Sequence, residues 1–289
     1  MHGAIVASAF RVDRMTSPRL RPSEAVLALW PAVVLILLGA GGFALLLESV
    51  NEGEYLSAFD QPLVEWLADN RTDTLTTVLT FVTNMFGSLV LPIIVAVIAL
   101  VWWRVTKSWW HPALLVGAML LSTGLSNLLK HLISRDRPDA TLMVVPGYET
   151  TYSFPSGHTI GATTLVLVVS YLLWHDDAQA SWRLSLWSAA SVLIIATVAF
   201  SRMYLGFHFL TDVLAGACVA VVVLGVVVGA ERWHDLALEH RDPPARSTPL
   251  ARTSGDAVGT YEEDLAARWD EDDDDAPASR EEDEGARSQ

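Results

Sequence analysis

The chain has 289 residues, 52% of them hydrophobic, a formal net charge of −14 and a single cysteine, Cys218. The apolar residues stand in blocks, several reaching the roughly 20 residues that a bilayer-spanning helix needs, which excludes an ordinary soluble globular domain. One cysteine excludes an internal disulfide and a cysteine-rich metal site; the acidic excess, gathered beyond Trp233, leaves the membrane part close to neutral, and no nucleic-acid partner is expected.

Taken in chain order, the arginines Arg11, Arg14, Arg19 and Arg21 precede a first apolar run over 25–47, too long for a cleaved signal and therefore expected to be retained as a helix. Residues 48–74 are polar and amphipathic, with Phe59, Leu63, Trp66 and Leu67 on one expected helical face and Asp60 and Glu65 on the solvated one. The next apolar stretch, 75–103, is interrupted at Asn84 and Gly87, so a short lead-in and then a span over 87–103 are expected. Further spans follow over 112–132, 156–174, 184–201 and 208–230. The loop 133–154, with Arg135, Asp136, Arg137, Pro138 and the turn former Pro146-Gly147, separates the third from the fourth. Beyond 241 the chain carries Pro243-Pro244 and two acidic runs, 270–275 and 281–284; such a composition buries too little apolar surface to offset its ordering entropy.

The expected fold is therefore all-α: a polytopic membrane protein with a six-transmembrane-helix bundle and a disordered acidic C-terminal tail. It divides into a cytoplasmic N-terminal segment (1–24), a six-helix membrane domain (25–230) and a cytoplasmic acidic tail (231–289). Lys and Arg outside the polar motifs collect on the side of the two termini, and Trp102, Trp103, Trp109, Trp110, Trp174, Trp182, Trp187 and Trp233 fall at that same boundary. The Lys/Arg distribution places both termini in the cytoplasm, the tryptophans agree with an aromatic belt at that boundary, and the plasma membrane is the expected location. The tail reads as a solvated polyanion, with a basic cytoplasmic partner as the alternative.

Charged residues inside apolar spans are expensive and mark function. Lys130 ends the third span, Arg137 follows it, Ser156, Gly157 and His158 open the fourth, Arg202 ends the fifth, and His208 and Asp212 open the sixth. Six alternating spans bring all of them to the non-cytoplasmic face, where cations are otherwise scarce, so an anionic ligand is expected. Phosphoryl transfer is mostly positioning and charge stabilisation around the phosphoryl oxygens. Lys130, Arg137 and Arg202 supply the charge, while Ser156 is expected to cap the fourth helix, whose first amides, at Gly157 and His158, point at a bound anion. His208 and Asp212, four apart, share a helical face, so the carboxylate fixes the imidazole tautomer and leaves a free lone pair; His208 is the expected nucleophile and His158 the general acid. The cations leave no need for a metal or other cofactor. His131 and Arg135 read as structural or interfacial, and Cys218, in a run of small residues, as a contact where another helix comes close.

These residues fall into three stretches, Lys130-x6-Arg137-Pro138, Pro155-Ser156-Gly157-His158 and Ser201-Arg202-x5-His208-x3-Asp212, which resemble the three signature motifs of the type 2 phosphatidic acid phosphatase family in type, spacing and order. The resemblance covers residues 25–230. It implies a six-helix membrane core, metal-independent phosphatase chemistry, phosphate binding by Lys130, Arg137, Ser156, Gly157 and Arg202, His158 as acid, His208 as nucleophile and Asp212 as its orienting partner. The expected activity is hydrolysis of a lipid phosphate at the outer face of the plasma membrane. Undecaprenyl diphosphate is the favoured substrate, and phosphatidic acid and phosphatidylglycerol phosphate are the others. A lipid phosphotransferase using the same phosphohistidine, and a non-catalytic lipid-binding protein, are the rival readings.

Overall fold

The computed structural model of the chain describes residues 22–145, 149–176 and 181–241. The N-terminal arginines, the Pro146-Gly147 turn and the acidic runs of the tail lie outside the described residues. The described residues up to His240 belong to one compact unit.

Eight α-helices run through the described residues: α1 (Pro22–Glu52), α2 (Asp60–Asp69), α3 (Asp73–Met85), α4 (Val90–Thr106), α5 (Trp110–Ile133), α6 (Gly157–Asp176), α7 (Ser181–Tyr204) and α8 (Leu210–Arg241). Five of them, α1 and α5 to α8, are long and apolar enough to cross a membrane; the pair α3 and α4, bent by 54°, makes the sixth when it is counted as one span. The break falls at Phe86–Leu89, just after Asn84 and across Gly87, which interrupt the apolar run. The molecule is a multi-pass membrane protein.

Helix α6 is the central element. It is apolar all round rather than striped, as a helix enclosed by others should be, and its Leu165, Val168, Val169 and Leu172 form one core with Leu91 and Val95 of α4, Leu115 and Ala118 of α5, and Val223 and Val227 of α8. Helix α1 packs on α8 through small residues: a Cβ on Gly39 would lie 2.6 Å from the Cys218 carbonyl oxygen. Only glycine permits that approach of two backbones, in the manner of small-residue contacts between membrane helices.

Two helix ends and one buried face differ most from expectation. Helix α1 runs on to Glu52, where Gly53, at φ 71°, ends it. Helix α8 continues to Arg241, past the last apolar residues, because Glu231 is buried and accepts from Trp110 Nε1 (2.7 Å) with His111 Nε2 at 3.1 Å, tying the helix extension to the start of α5. In the amphipathic segment, Phe59 and Trp66 face outward, whereas Val64, Leu67 and Asp60 are buried. The segment folds back on the end of α7, where Leu67 joins Leu79, Tyr204, Leu205 and Phe207. The face that meets α7 and α8 is therefore set by Val64 and Leu67 rather than by the two large aromatics.

Candidate active site

The site is built at one end of the bundle from helix termini. Helix α7 closes in a Schellman motif: Gly206, at φ 79°, donates its N–H to the Met203 carbonyl (3.0 Å), and Phe207 donates to the Arg202 carbonyl (3.0 Å). A Cβ on Gly206 would stand 2.1 Å from the Leu142 carbonyl oxygen, so both the turn and its neighbour require glycine. Arg71 locks the turn from outside, donating to the carbonyls of Tyr204 (2.7 Å) and Leu142 (2.5 Å). The result is that His208, six residues on from Arg202, returns to it, its N–H 3.2 Å from the Arg202 carbonyl oxygen. Phe207 lies against the Arg202 guanidinium at 4.6 Å.

Helix α8 starts on two carboxylates. Asp212 accepts from the Phe209 N–H (2.8 Å), the third-residue half of a capping box, and Asp60 of α2 accepts from the Thr211 N–H (3.0 Å) and hydroxyl (2.5 Å). The same Asp212 faces His208, its Oδ2 3.3 Å from Nδ1, with Ser153 Oγ 3.4 Å from that nitrogen and donating to Oδ2. Nδ1 therefore carries the proton. Nε2 is left with a lone pair, 3.3 Å from Nη1 of Arg137. Burial first, then Arg202, Arg137 and Lys130, hold the His208 imidazole well below its ordinary pKa, so it is neutral near pH 7.

Arg137 is anchored by the carbonyls of Thr151 (2.5 Å) and Phe207 (2.8 Å), and Lys130 by the carbonyl of Tyr152 (2.5 Å). Arg202 is fully buried and reaches Thr83 Oγ1 of α3 at 3.2 Å. Both arginines converge on one carboxylate, that of Glu149: Arg202 Nη2 donates to Oε1 and Arg137 Nη2 to Oε2 (2.8 Å). His158 Nδ1 lies 3.9 Å from Oε1. Burial opposes ionisation of Glu149, but the guanidinium of Arg202, with that of Arg137, outweighs it and holds the carboxyl at about 2.

Helix α6 begins at Gly157, with Ser156 just before it; Ser156 donates its N–H to the Asp212 carbonyl (3.0 Å) and accepts at Oγ from Thr159 (3.1 Å). The amides of Gly157 and His158 fall in the first turn, where no intrahelical acceptor exists, and both residues line a cavity of 820 Å³ together with Lys130, Glu149 and His208. Gly87, in the break between α3 and α4, backs His158: a Cβ at that position would lie 3.6 Å from Nε2. From the polar end the cavity runs between α4 and α5 along Leu91, Val95, Val116, Met119 and Leu120.

All eight residues singled out in the sequence thus meet at one site. Four more belong to it that sequence reasoning does not assign. Glu149 is missed, although a buried cluster of three cations requires a counter-charge and the loop 133–154 offers only Asp136, Asp139 and Glu149. Arg135, expected to be structural or interfacial, donates to Asp212 Oδ1 (2.6 Å) and Asp60 Oδ2 (2.7 Å). Asp60, expected on a solvated face, is 2% exposed. Ser153 has no sequence signal beyond its place two residues before Pro155.

The PAP2 superfamily model matches residues 111–234. Phosphatidylglycerophosphatase B of Bacillus subtilis (strain 168) is 30% identical over 190 residues, 65% of this chain and 90% of that protein. YbjG of Escherichia coli (strain K12), provisionally named an undecaprenyl-diphosphatase, is 31% identical over 111 residues, 36% of this chain and 49% of that one. Among solved structures, the transmembrane PAP2-type phosphatidylglycerolphosphate phosphatase from Bacillus subtilis superimposes with a TM-score of 0.61 at 26% identity, covering 68% of this chain and 97% of that one.

Proposed function

The chain belongs to the PAP2 superfamily and is a membrane phosphatase of that family, and we propose that it hydrolyses a terminal phosphoryl group from a lipid, without a metal, through a phosphohistidine on His208. One observation carries this reading: two arginines close on a single anionic group beside the unprotonated Nε2 of a histidine whose other nitrogen is anchored. In the first step Nε2 attacks phosphorus as the bond to the leaving oxygen breaks, and His158, which takes up a proton when the phosphate dianion binds beside it, gives that proton to the leaving oxygen. Arg137, Arg202, Lys130 and the first amides of α6 take up the charge on the phosphoryl oxygens. In the second, His158 removes a proton from water, the water oxygen attacks phosphorus, and the N–P bond breaks to return His208 and release inorganic phosphate. Asp212 holds the ring and balances the charge of the imidazolium side of each step.

The apolar run of the cavity between α4 and α5 supports a substrate whose chain stays among the helices while its phosphate reaches the cations. Phosphatidylglycerol phosphate is supported by the name of the relative matched over most of its length, and undecaprenyl diphosphate by the name of YbjG. The distribution of Lys and Arg supports cytoplasmic termini and that outward site.

Phosphate release by the detergent-purified protein, with EDTA present, from phosphatidylglycerol phosphate, undecaprenyl diphosphate and phosphatidic acid is the test. Release that survives EDTA and leaves water as the sole acceptor is expected, and the preferred lipid ranks the substrates. Loss of release on chelation, or transfer to an added alcohol in place of water, overturns the hydrolytic reading. His158→Ala is expected to lower turnover by roughly 10²- to 10⁴-fold, the usual worth of a general acid, and by much less with an aryl phosphate whose leaving group needs no proton. An equal loss with both substrates counts against His158 as the acid.

A further inference from the structure

Glu149 has no part in the two steps above, yet its carboxylate is the anion that the two arginines hold. Each carboxylate oxygen takes a different guanidinium, Arg202 at Oε1 and Arg137 at Oε2, which is the bidentate demand a phosphoryl group makes of the same side chains. Arg202 and Arg137 are 0% and 7% exposed, and three buried cations without an opposing charge would be costly to enclose. Asp212, the other carboxylate beside His208, is engaged by Arg135 on the far side of the ring. Glu149 stands in the connection between α5 and α6, outside any helix, and its side chain is 15% exposed, so it can leave without breaking a helical hydrogen bond and has water to leave into.

We propose that Glu149 occupies the phosphoryl site of the ligand-free enzyme as a tethered competitor and thereby selects lipid-anchored phosphates over free inorganic phosphate; this rests on reading the Arg137–Arg202 cradle as the phosphate site. A tethered group competes at an effective concentration in the millimolar range or above. A free phosphate ion at ordinary concentrations must overcome that competitor unaided. A lipid phosphate is itself tethered, confined to the bilayer beside the site, and meets Glu149 on equal terms. After hydrolysis the lipid has gone, and the returning carboxylate expels the phosphate ion, so the residue that raises the threshold for binding also clears the product. Glu149 remains ionised through the physiological range, so the competition does not depend on pH there.

The test uses the full chain in lipid nanodiscs and the Glu149→Gln variant, which keeps the size and removes the charge. Inorganic phosphate binding is measured by titration calorimetry, and KM is measured for a water-soluble aryl phosphate and for the preferred lipid. In Glu149→Gln, phosphate is expected to bind roughly 10- to 100-fold tighter, and the KM values for the aryl phosphate and for the lipid to fall by a similar factor, because a competitor that blocks the site weakens every ligand by the same ratio and only a ligand held at high local concentration still saturates it. A residue serving only to hold the loop would instead weaken phosphate binding and lower the melting temperature. Unchanged or weaker phosphate binding in a folded variant overturns the proposal. If Glu149→Gln does not fold, Glu149→Asp, too short to reach both arginines at once, is expected to shift phosphate affinity in the same direction by a smaller factor, and no shift there overturns it equally. The calorimetry needs no turnover, so tighter phosphate binding in the variant supports the inference even where the wild type cleaves none of the lipids, an outcome that sinks the hydrolase reading alone.

Discussion

His208→Ala is expected to reduce phosphate release to background, roughly 10⁴- to 10⁶-fold below wild type, the scale on which losing a nucleophile is felt, while inorganic phosphate still binds. The two halves of this expectation come from different atoms. Turnover needs the Nε2 lone pair, which the surrounding cations and burial keep unprotonated and which Asp212 and Ser153 aim from behind by holding Nδ1. Binding needs Arg137, Arg202 and Lys130, and none of them depends on the ring for its position: Arg137 keeps the Phe207 and Thr151 carbonyls, Lys130 that of Tyr152, and Arg202 the Thr83 hydroxyl. Alanine also leaves a space bounded by these groups that imidazole can enter. Partial rescue by added imidazole, and an acid-labile phosphoprotein that appears in wild type and not in the variant, are the two signatures to look for. Turnover near the wild-type rate in the variant sinks the phosphohistidine, and turnover lost together with phosphate binding shows that the ring is needed to build the cradle and not only to attack.

The spans and the convergence of cations were legible from sequence because both rest on local rules. A run of apolar residues has to cross or be enclosed, and alternation of spans fixes which ends meet. Lys130, Arg137, His158, Arg202 and His208 fall into place on that count alone, with no knowledge of how the helices pack. What the count leaves out is charge balance. It places three cations together and says nothing about which anion faces them, since Glu149 sits in a loop whose path no periodicity describes. Asp60 fails for the opposite reason. Its own segment is amphipathic, and within that segment a carboxylate belongs on the wet face; only the fold shows that this face meets the first turn of α8, where the Thr211 amide and Arg135 receive it. The break between α3 and α4 was visible at Asn84 and Gly87, but its purpose was not. It lets Gly87 back His158 and brings Thr83, at the end of α3, to Arg202.

Arg135→Met is expected to cost about 3–5 kcal/mol of stability, the usual consequence of removing one partner from a buried ion pair, and to lower turnover by roughly 10²-fold, the scale of a small misplacement of a reacting group, with KM for the lipid little changed. One guanidinium serves two carboxylates: Nη1 is 2.6 Å from Asp212 Oδ1, Nη2 is 2.7 Å from Asp60 Oδ2, and its plane lies 4.5 Å from the Phe209 ring. Without it two anions, each almost sealed from water, face one another across the first turn of α8 with no cation between them. The stability loss therefore belongs to both carboxylates and the catalytic loss to Asp212 alone, and that difference makes the two separable. Asp60→Asn keeps the shape of the first partner and removes its charge, so in the double variant Asp60→Asn/Arg135→Met one stranded anion is gone. Melting temperature is expected to recover part of the way in the double variant, while turnover stays at the level of Arg135→Met, because Asp212 still lacks the Arg135 contact that fixes its second oxygen. A double variant no more stable than the single one shows that Asp60 carries no uncompensated charge in Arg135→Met. Wild-type turnover in Arg135→Met shows that Phe209 and Ser153 alone keep Asp212 aimed at the imidazole.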